Sequence, residues 1–199
     1  MRFRDPRSVN LTLLWVLIAV NVLIFIATSI ASGSIFGISF AVLNQIGVSY
    51  STFSSQPWTI VSSMFAHDGI YHIIFNMLTL YFFGMYVLAL VGEARFFLVY
   101  FIGGLVGNVL FLLINHTGSA VGASGAIFAL GGLLVVLVPR LKVMIFPIPI
   151  PMDLWIALLL SLAVLSFLPG IAWQAHVGGF LTGLAAGYFF KYEARRRRS

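Results

Sequence analysis

Six stretches of this sequence are apolar over lengths near what a lipid bilayer demands, and that pattern leaves few folds open. A helix needs about 20 consecutive apolar residues to cross the hydrocarbon core. Runs approaching that size fall at about 11–31, 70–91, 95–114, 124–138, 152–168 and 174–190. Of the 199 residues, 61% are hydrophobic and only 8% charged, with a mean hydropathy of +1.07. A soluble domain carries about 25% charged residues, so this chain lacks the polar surface to dissolve and reads as an all-α membrane protein of six transmembrane helices. The first run continues through Asn21 to Ala31 without a small-residue cleavage site and a polar region after it, so it is expected to stay as a helix and not to be removed as a signal peptide. There is no cysteine, which excludes disulfides and thiol catalysis.

Basic residues set the expected orientation, because Lys and Arg in short flanks favour the cytoplasmic side. Arg2, Arg4 and Arg7 precede the first run, Arg95 follows the second, Arg140 and Lys142 follow the fourth, and Lys191 with Arg195 to Arg198 follow the sixth. The opposite loops, near 32–69, 115–123 and 169–173, contain neither Lys nor Arg. Both termini are therefore expected in the cytoplasm. The terminal arginines read as a topological anchor that also meets anionic lipid, not as a nucleic-acid site. Residues 1–199 are expected to form one domain. Its long outer segment, about 32–69, is apolar enough to lie in the interface as short helices with Tyr50 and Trp58 at headgroup level.

Polar residues inside apolar helices are costly and point to partners or sites. Asn21 is expected to hydrogen-bond between helices. His72 and Asn76, four apart, share one face of the second helix, either as a satisfied polar pair or as a site. Gly103, Gly104 and Gly107, with Asn108 beside them, read as a packing seam. Gly122-Ala123-Ser124-Gly125 opens the fourth helix, which is short, ends near Pro139 and carries Phe128, Gly131 and Val135 roughly on the Ser124 face. Small residues of this kind commonly serve close helix packing, so the motif by itself does not establish catalysis. Pro147, Pro149 and Pro151 predict a rigid extended inner connection leading to Asp153. In the sixth helix His176 shares a face with Gly179, Gly183 and Gly187, so another backbone can approach the histidine closely. Its bland alternative is a lone histidine bonded between helices. At about 1.5 Å per residue, Asn76, Ser124 and His176 all fall within roughly 10 Å of the outer surface.

A serine becomes nucleophilic when a base takes its proton, and His176 is the histidine inside a helix after Ser124. The amide of Ser124, with Asn76 and His72, would supply donors for the oxyanion. Asp5, Glu93, Asp153 and Glu193 lie on the cytoplasmic side of this topology and Asp68 on the loop before the second helix, so a Ser-His dyad is the economical arrangement.

With those residues in place, the chain resembles the rhomboid intramembrane serine proteases along nearly its whole length. The resemblance is carried by the interfacial loop ending in His67, His72-x-x-x-Asn76, Gly122-Ala123-Ser124-Gly125, and Ala175-His176-Val177-Gly178-Gly179-x-x-x-Gly183. It implies a six-helix rhomboid-like bundle in which Ser124 is the nucleophile, His176 the general base, and His72 and Asn76 the oxyanion partners. Gly122, Gly125, Phe128, Gly179 and Gly183 support them. It further implies transmembrane protein substrates cut near their outer ends within the lipid bilayer, with no cofactor, metal or nucleic acid. Two positions depart from the family pattern: Trp58-Thr59 stands where Trp-Arg is common, and Phe128 where many bacterial members have a tyrosine stacked on the catalytic histidine. The second departure keeps the ring and loses its hydroxyl. Two other classes compete: an inactive rhomboid-like protein that binds membrane helices, and a metal or haem protein using His67, His72, His116 and His176. The first usually lacks the serine or the histidine, and the second lacks paired carboxylates or a His-Glu-x-x-His helix. Without a transit peptide or soluble extension, a prokaryotic plasma membrane is the expected location.

Overall fold

A computed structural model describes residues 9–145, 148–168 and 170–197 of the chain. Arg2, Arg4, Asp5, Arg7, Pro147 and Arg198 of the sequence reading lie outside the described residues. The protein is mostly helical. In chain order it forms α1 (Thr12–Ser32), α2 (Phe40–Ile46), α3 (Thr59–Ser62), α4 (Ile70–Val91), α5 (Glu93–Ile114) and α6 (Ser124–Leu137). A hairpin of β1 (Lys142–Ile145) and β2 (Ile148–Asp153) follows, then α7 (Leu154–Ser166) and α8 (Trp173–Arg196). By length and composition α1, α4 and α5 can each cross a membrane, whereas α6 and α7 are shorter apolar helices.

The helix ends follow local chemistry. Gly33 closes α1 in the left-handed conformation at φ +67°, and the amide of Ser34 reaches back to the Ser29 carbonyl, the bond pattern of a Schellman cap. Gly92, at φ +83°, alone separates α4 from α5, a turn that a residue with a Cβ rarely adopts. The last helix runs six residues beyond the expected 190, because loss of apolar character does not break backbone hydrogen bonding. Basic residues favour a helix C-terminus, and Arg95 and Arg197 both pair with Glu193, at 2.7 and 2.6 Å. The inner connection is extended, as the prolines predict, but it pairs as an antiparallel hairpin with Lys142 opposite Asp153 and a 2.7 Å ion pair between them. The expected all-α class therefore needs this correction. In a two-stranded ribbon each strand has a free edge, where a proline's missing N–H is tolerated.

The core is centred on α6. Almost every residue from Gly125 to Leu134 is buried, and a helix apolar on all sides belongs in the interior. Leu130, Leu133 and Leu134 join Leu14 of α1, Leu80 of α4, Phe96 and Tyr100 of α5 and Leu154 of α7 in one cluster. Asn21 of α1 donates from its amide to the Leu17 carbonyl in its own helix at 2.8 Å and also meets Tyr100 of α5, the contact between helices that its place in an apolar run predicts. The 32–69 segment does contain short helices, α2 and α3. Tyr50 and Trp58 in it are exposed, and the Trp58 indole donates to the Gln45 carbonyl at 3.3 Å. At 14 residues, α6 is only about 21 Å long, less than the roughly 30 Å of a hydrocarbon core.

Candidate active site

Ser124 and His176 meet. The serine Oγ lies 2.7 Å from Nε2 of the histidine, across 52 residues of sequence. What brings them together is backbone-to-backbone packing of α6 on α8. A Cβ on Gly179 would run into the carbonyl of Gly125, and one on Gly183 into the carbonyl of Ala129. Such contact is open only to glycine, and it is the small-residue packing that membrane helices use where apolar side chains give no net drive to associate. Phe128, one turn along α6 from Ser124, stacks on His176 with ring centroids 4.6 Å apart and planes inclined by 28°. The ring thus does the steric work expected of it without a hydroxyl. His176 is buried, and its Nδ1 has no hydrogen-bond partner among the described residues.

The second part of the site comes from α4. The Nδ1 atom of His72 accepts a 3.2 Å hydrogen bond from the amide of Asp68. Since a neutral imidazole carries one N–H, its proton then sits on Nε2. That atom faces the chain just before Ser124: a Cβ on Gly122 would lie 2.8 Å from His72 Nε2 and 3.6 Å from Ser124 Oγ. Gly122 also has φ +129°, so both space and backbone conformation require glycine there. Asn76 is buried one turn below His72 and donates from Nδ2 to the His72 carbonyl at 2.8 Å, which leaves the second N–H of that amide unassigned.

Three residues contribute in ways that sequence reasoning missed. Asn108 of α5, read as packing, donates to the Ile60 carbonyl at 2.8 Å and to the Ser63 hydroxyl at 2.9 Å. The Ser63 carbonyl in turn accepts the amide of Gly122 at 2.8 Å, so α5 holds the approach to Ser124 through α3. A polar side chain in an apolar helix was the available signal. A small cavity beside Ser124 is lined by Met64, Asn108, Gly122, Ala126 and Ala175. The third residue, Asp68, fixes His72 through its backbone amide, for which side-chain patterns give no signal.

His67 is also buried; its Nδ1–H donates to the Phe65 carbonyl at 3.2 Å and its ring meets that of His72 edge-on at 5.1 Å. Burial, and to a lesser extent His72, push its pKa down from 6.5 to about 3. The unfolded chain takes up this proton near 6.5 and the folded chain only near 3, so the contribution to stability is full above that window and is lost as pH falls through it. At about 1.4 kcal/mol per pH unit, acidification from pH 6.5 to 5 should cost about 2 kcal/mol of stability. Denaturant unfolding of the purified protein at both values should show a loss at least that large, and His67→Phe should reduce it by about 2 kcal/mol. Undiminished acid sensitivity in His67→Phe would assign the proton uptake elsewhere. His116 lies apart, tilted against Tyr50 at 4.4 Å. Among the described residues no three His, Asp or Glu side chains gather as metal ligands would.

A serine hydroxyl in hydrogen-bond reach of a buried imidazole, beside a second imidazole that carries its proton on the near nitrogen, has the parts for acyl transfer. Comparison with known proteins agrees with this frame. The Rhomboid domain matches residues 54–193. The chain is 27% identical to Rhomboid protein 1, mitochondrial, of Saccharomyces cerevisiae, over 70% of this chain and 44% of that one. It is 35% identical to RHOMBOID-like protein 4 of Arabidopsis thaliana over 67% of this chain and 34% of that one. It is 30% identical to Rhomboid protease GluP of Bacillus subtilis over 88% of this chain and 34% of that one. The matched part thus spans between a third and a half of these relatives' lengths. Since the matched domain takes in α4, α5, α6, most of α8 and every residue placed around Ser124 above, this chain belongs to the rhomboid family.

Proposed function

We propose that the protein is an intramembrane serine endopeptidase that cuts transmembrane substrates near their outer ends. The observation that carries this reading is the 2.7 Å approach of Ser124 Oγ to His176 Nε2. As Oγ bonds to the scissile carbonyl carbon, His176 Nε2 takes the hydroxyl proton. It returns that proton to the leaving nitrogen as the C–N bond breaks. Water then attacks the acyl ester with His176 again as base, and the proton goes back to Ser124 Oγ. Because no partner for His176 Nδ1 stands among the described residues, the proposal is a dyad. The amide of Ser124 serves as one oxyanion donor, at a helix N-terminus where the first N–H groups lack intrahelical acceptors and the dipole is positive. His72 Nε2–H and the second N–H of Asn76 complete the set.

Labelling with a fluorophosphonate tests this directly. Wild type should label and Ser124→Ala should not, with chelators having no effect. An inactive helix-binding relative would not label, and a chelator-sensitive activity would point to a metal. For the oxyanion, Asn76→Ala should lower kcat by about two to three orders of magnitude. It should cost only about 1 kcal/mol of stability, the usual worth of one hydrogen bond. A normal rate would remove Asn76 from the site.

In the membrane, the proposal is six spans formed by α1, α4, α5, α6, α7 and α8, both termini cytoplasmic, in a prokaryotic plasma membrane. Residues 1–199 act as one domain, which the packing of Leu14, Leu17 and Phe25 of α1 into the common core supports. The distribution of basic residues supports the orientation. Single cysteines at Ser34 and Ser119 should react with an impermeant thiol reagent on intact cells and one at Ser199 should not; the reverse pattern would overturn it.

A further inference from the structure

The segment between α1 and α2 is fastened onto the start of α4 at the residue that holds His72. The Ile38 amide donates to the Asp68 carboxylate at 2.8 Å, and the Ile70 amide donates to the Ile35 carbonyl at 2.8 Å. Between them, Gly69 at φ +89° lies so close beneath the segment that a Cβ there would come within 2.6 Å of the Phe36 carbonyl. Asp68 therefore faces two ways. Its side chain, exposed at the surface, grips the 35–38 segment, and its backbone amide gives the 3.2 Å hydrogen bond to His72 Nδ1.

We infer that Asp68 is a positioning residue for the reaction: its carboxylate latches the 35–38 segment and so holds its own amide against His72, keeping the His72 proton on Nε2, beside Ser124. This inference rests on the proposed role of His72 as an oxyanion donor. The physical reason is the single proton of a neutral imidazole. With Nδ1 engaged as an acceptor, Nε2 must be the donor. Without that bond the proton can move to Nδ1, and Nε2 then presents a lone pair to a developing oxyanion, which repels it. His67, edge-on to His72, restricts the ring but supplies no bond to Nδ1. Among the described residues the Asp68 amide is the group bonded to Nδ1, and it therefore selects the tautomer.

The experiment uses the full chain in detergent micelles, with all histidines 15N-labelled. Cleavage is read on a single-span transmembrane peptide bearing a fluorophore and quencher on either side of its outer end. The His72 signals are identified by their absence in His72→Ala. In wild type the His72 pair should show Nε2 protonated and Nδ1 bare. Asp68→Ala, which deletes the acceptor, should lose about tenfold in kcat with KM nearly unchanged, part of what loss of a whole oxyanion donor costs. Its His72 signals should shift toward the other tautomer. Asp68→Asn keeps an acceptor oxygen for the Ile38 amide and should restore both kcat and the wild-type His72 signals. A wild-type spectrum with the proton on Nδ1 overturns the inference without recourse to any variant. So does Asp68→Ala with unchanged His72 signals, or Asp68→Asn with signals as altered as those of Asp68→Ala. If His72→Ala cleaves at the wild-type rate, it is the oxyanion reading that fails, while the latch is still judged by the spectra.

Discussion

Ser124→Ala and His176→Ala should each reduce cleavage of a transmembrane substrate to background, and the double variant should be no slower than either. The reason is that the hydroxyl and the imidazole act as one device. Once either partner of the 2.7 Å pair is gone, the other has nothing to activate or to receive a proton from. Losses for residues that work as such a unit run on the order of 10⁴ to 10⁶ in kcat and do not add. Ser124→Ala should leave folding little affected, whereas His176→Ala also removes a buried ring stacked on Phe128 and should lower stability. Single-turnover cleavage with purified protein separates the cases. A double variant markedly slower than both single variants would mean the two side chains contribute independently, and the dyad would have to be abandoned.

A Cβ at Gly183 is expected to be almost as damaging, although the residue lies two turns from His176. The carbonyl of Ala129 occupies the space a Cβ would need, so the two backbones must separate before any side chain fits. That makes Gly183→Ala severe as well as Gly183→Val, a sharper expectation than a graded series from alanine to valine. A displacement of about 1 Å between reacting groups can cost about a hundredfold in rate, and the same movement opens voids along α6, the helix at the centre of the core. Both variants should lose at least that much activity and unfold more readily, while circular dichroism still shows a largely helical chain. Leu181→Val is the control, because Leu181 is 55% exposed on the outer face of α8, away from that contact. Wild-type cleavage by Gly183→Ala would show that the helices do not rely on this close approach.

These two expectations differ in how far the sequence carries them. Ser124 and His176 could be singled out from residue type, glycine context and estimated depth, and the observed contact agrees with that pairing. The severity of Gly183→Ala could not, because a glycine on a helix face does not say whether it meets a flexible side chain or a carbonyl. Gly131 of α6, by contrast, faces Leu158 side-chain atoms, which can move, and not a backbone.

Hydropathy and helical period alone were enough for the membrane class, for the positions of α1, α4, α5 and α6 to within one or two residues, and for the faces carrying His72 with Asn76 and His176 with Gly179 and Gly183. All of these depend on residues near one another in sequence, where transfer into lipid and the 3.6-residue turn act directly. The 2.7 Å separation of Ser124 and His176, the run of Asn108 to Ser63 to Gly122, and the latch from Ile38 through Asp68 to His72 belong to the tertiary structure. Each joins segments far apart in the chain, and two of the three pass through backbone amides and carbonyls that every residue possesses. Such groups acquire a partner only when packing sets the distance between helices, and no pattern of side chains along the chain records that distance.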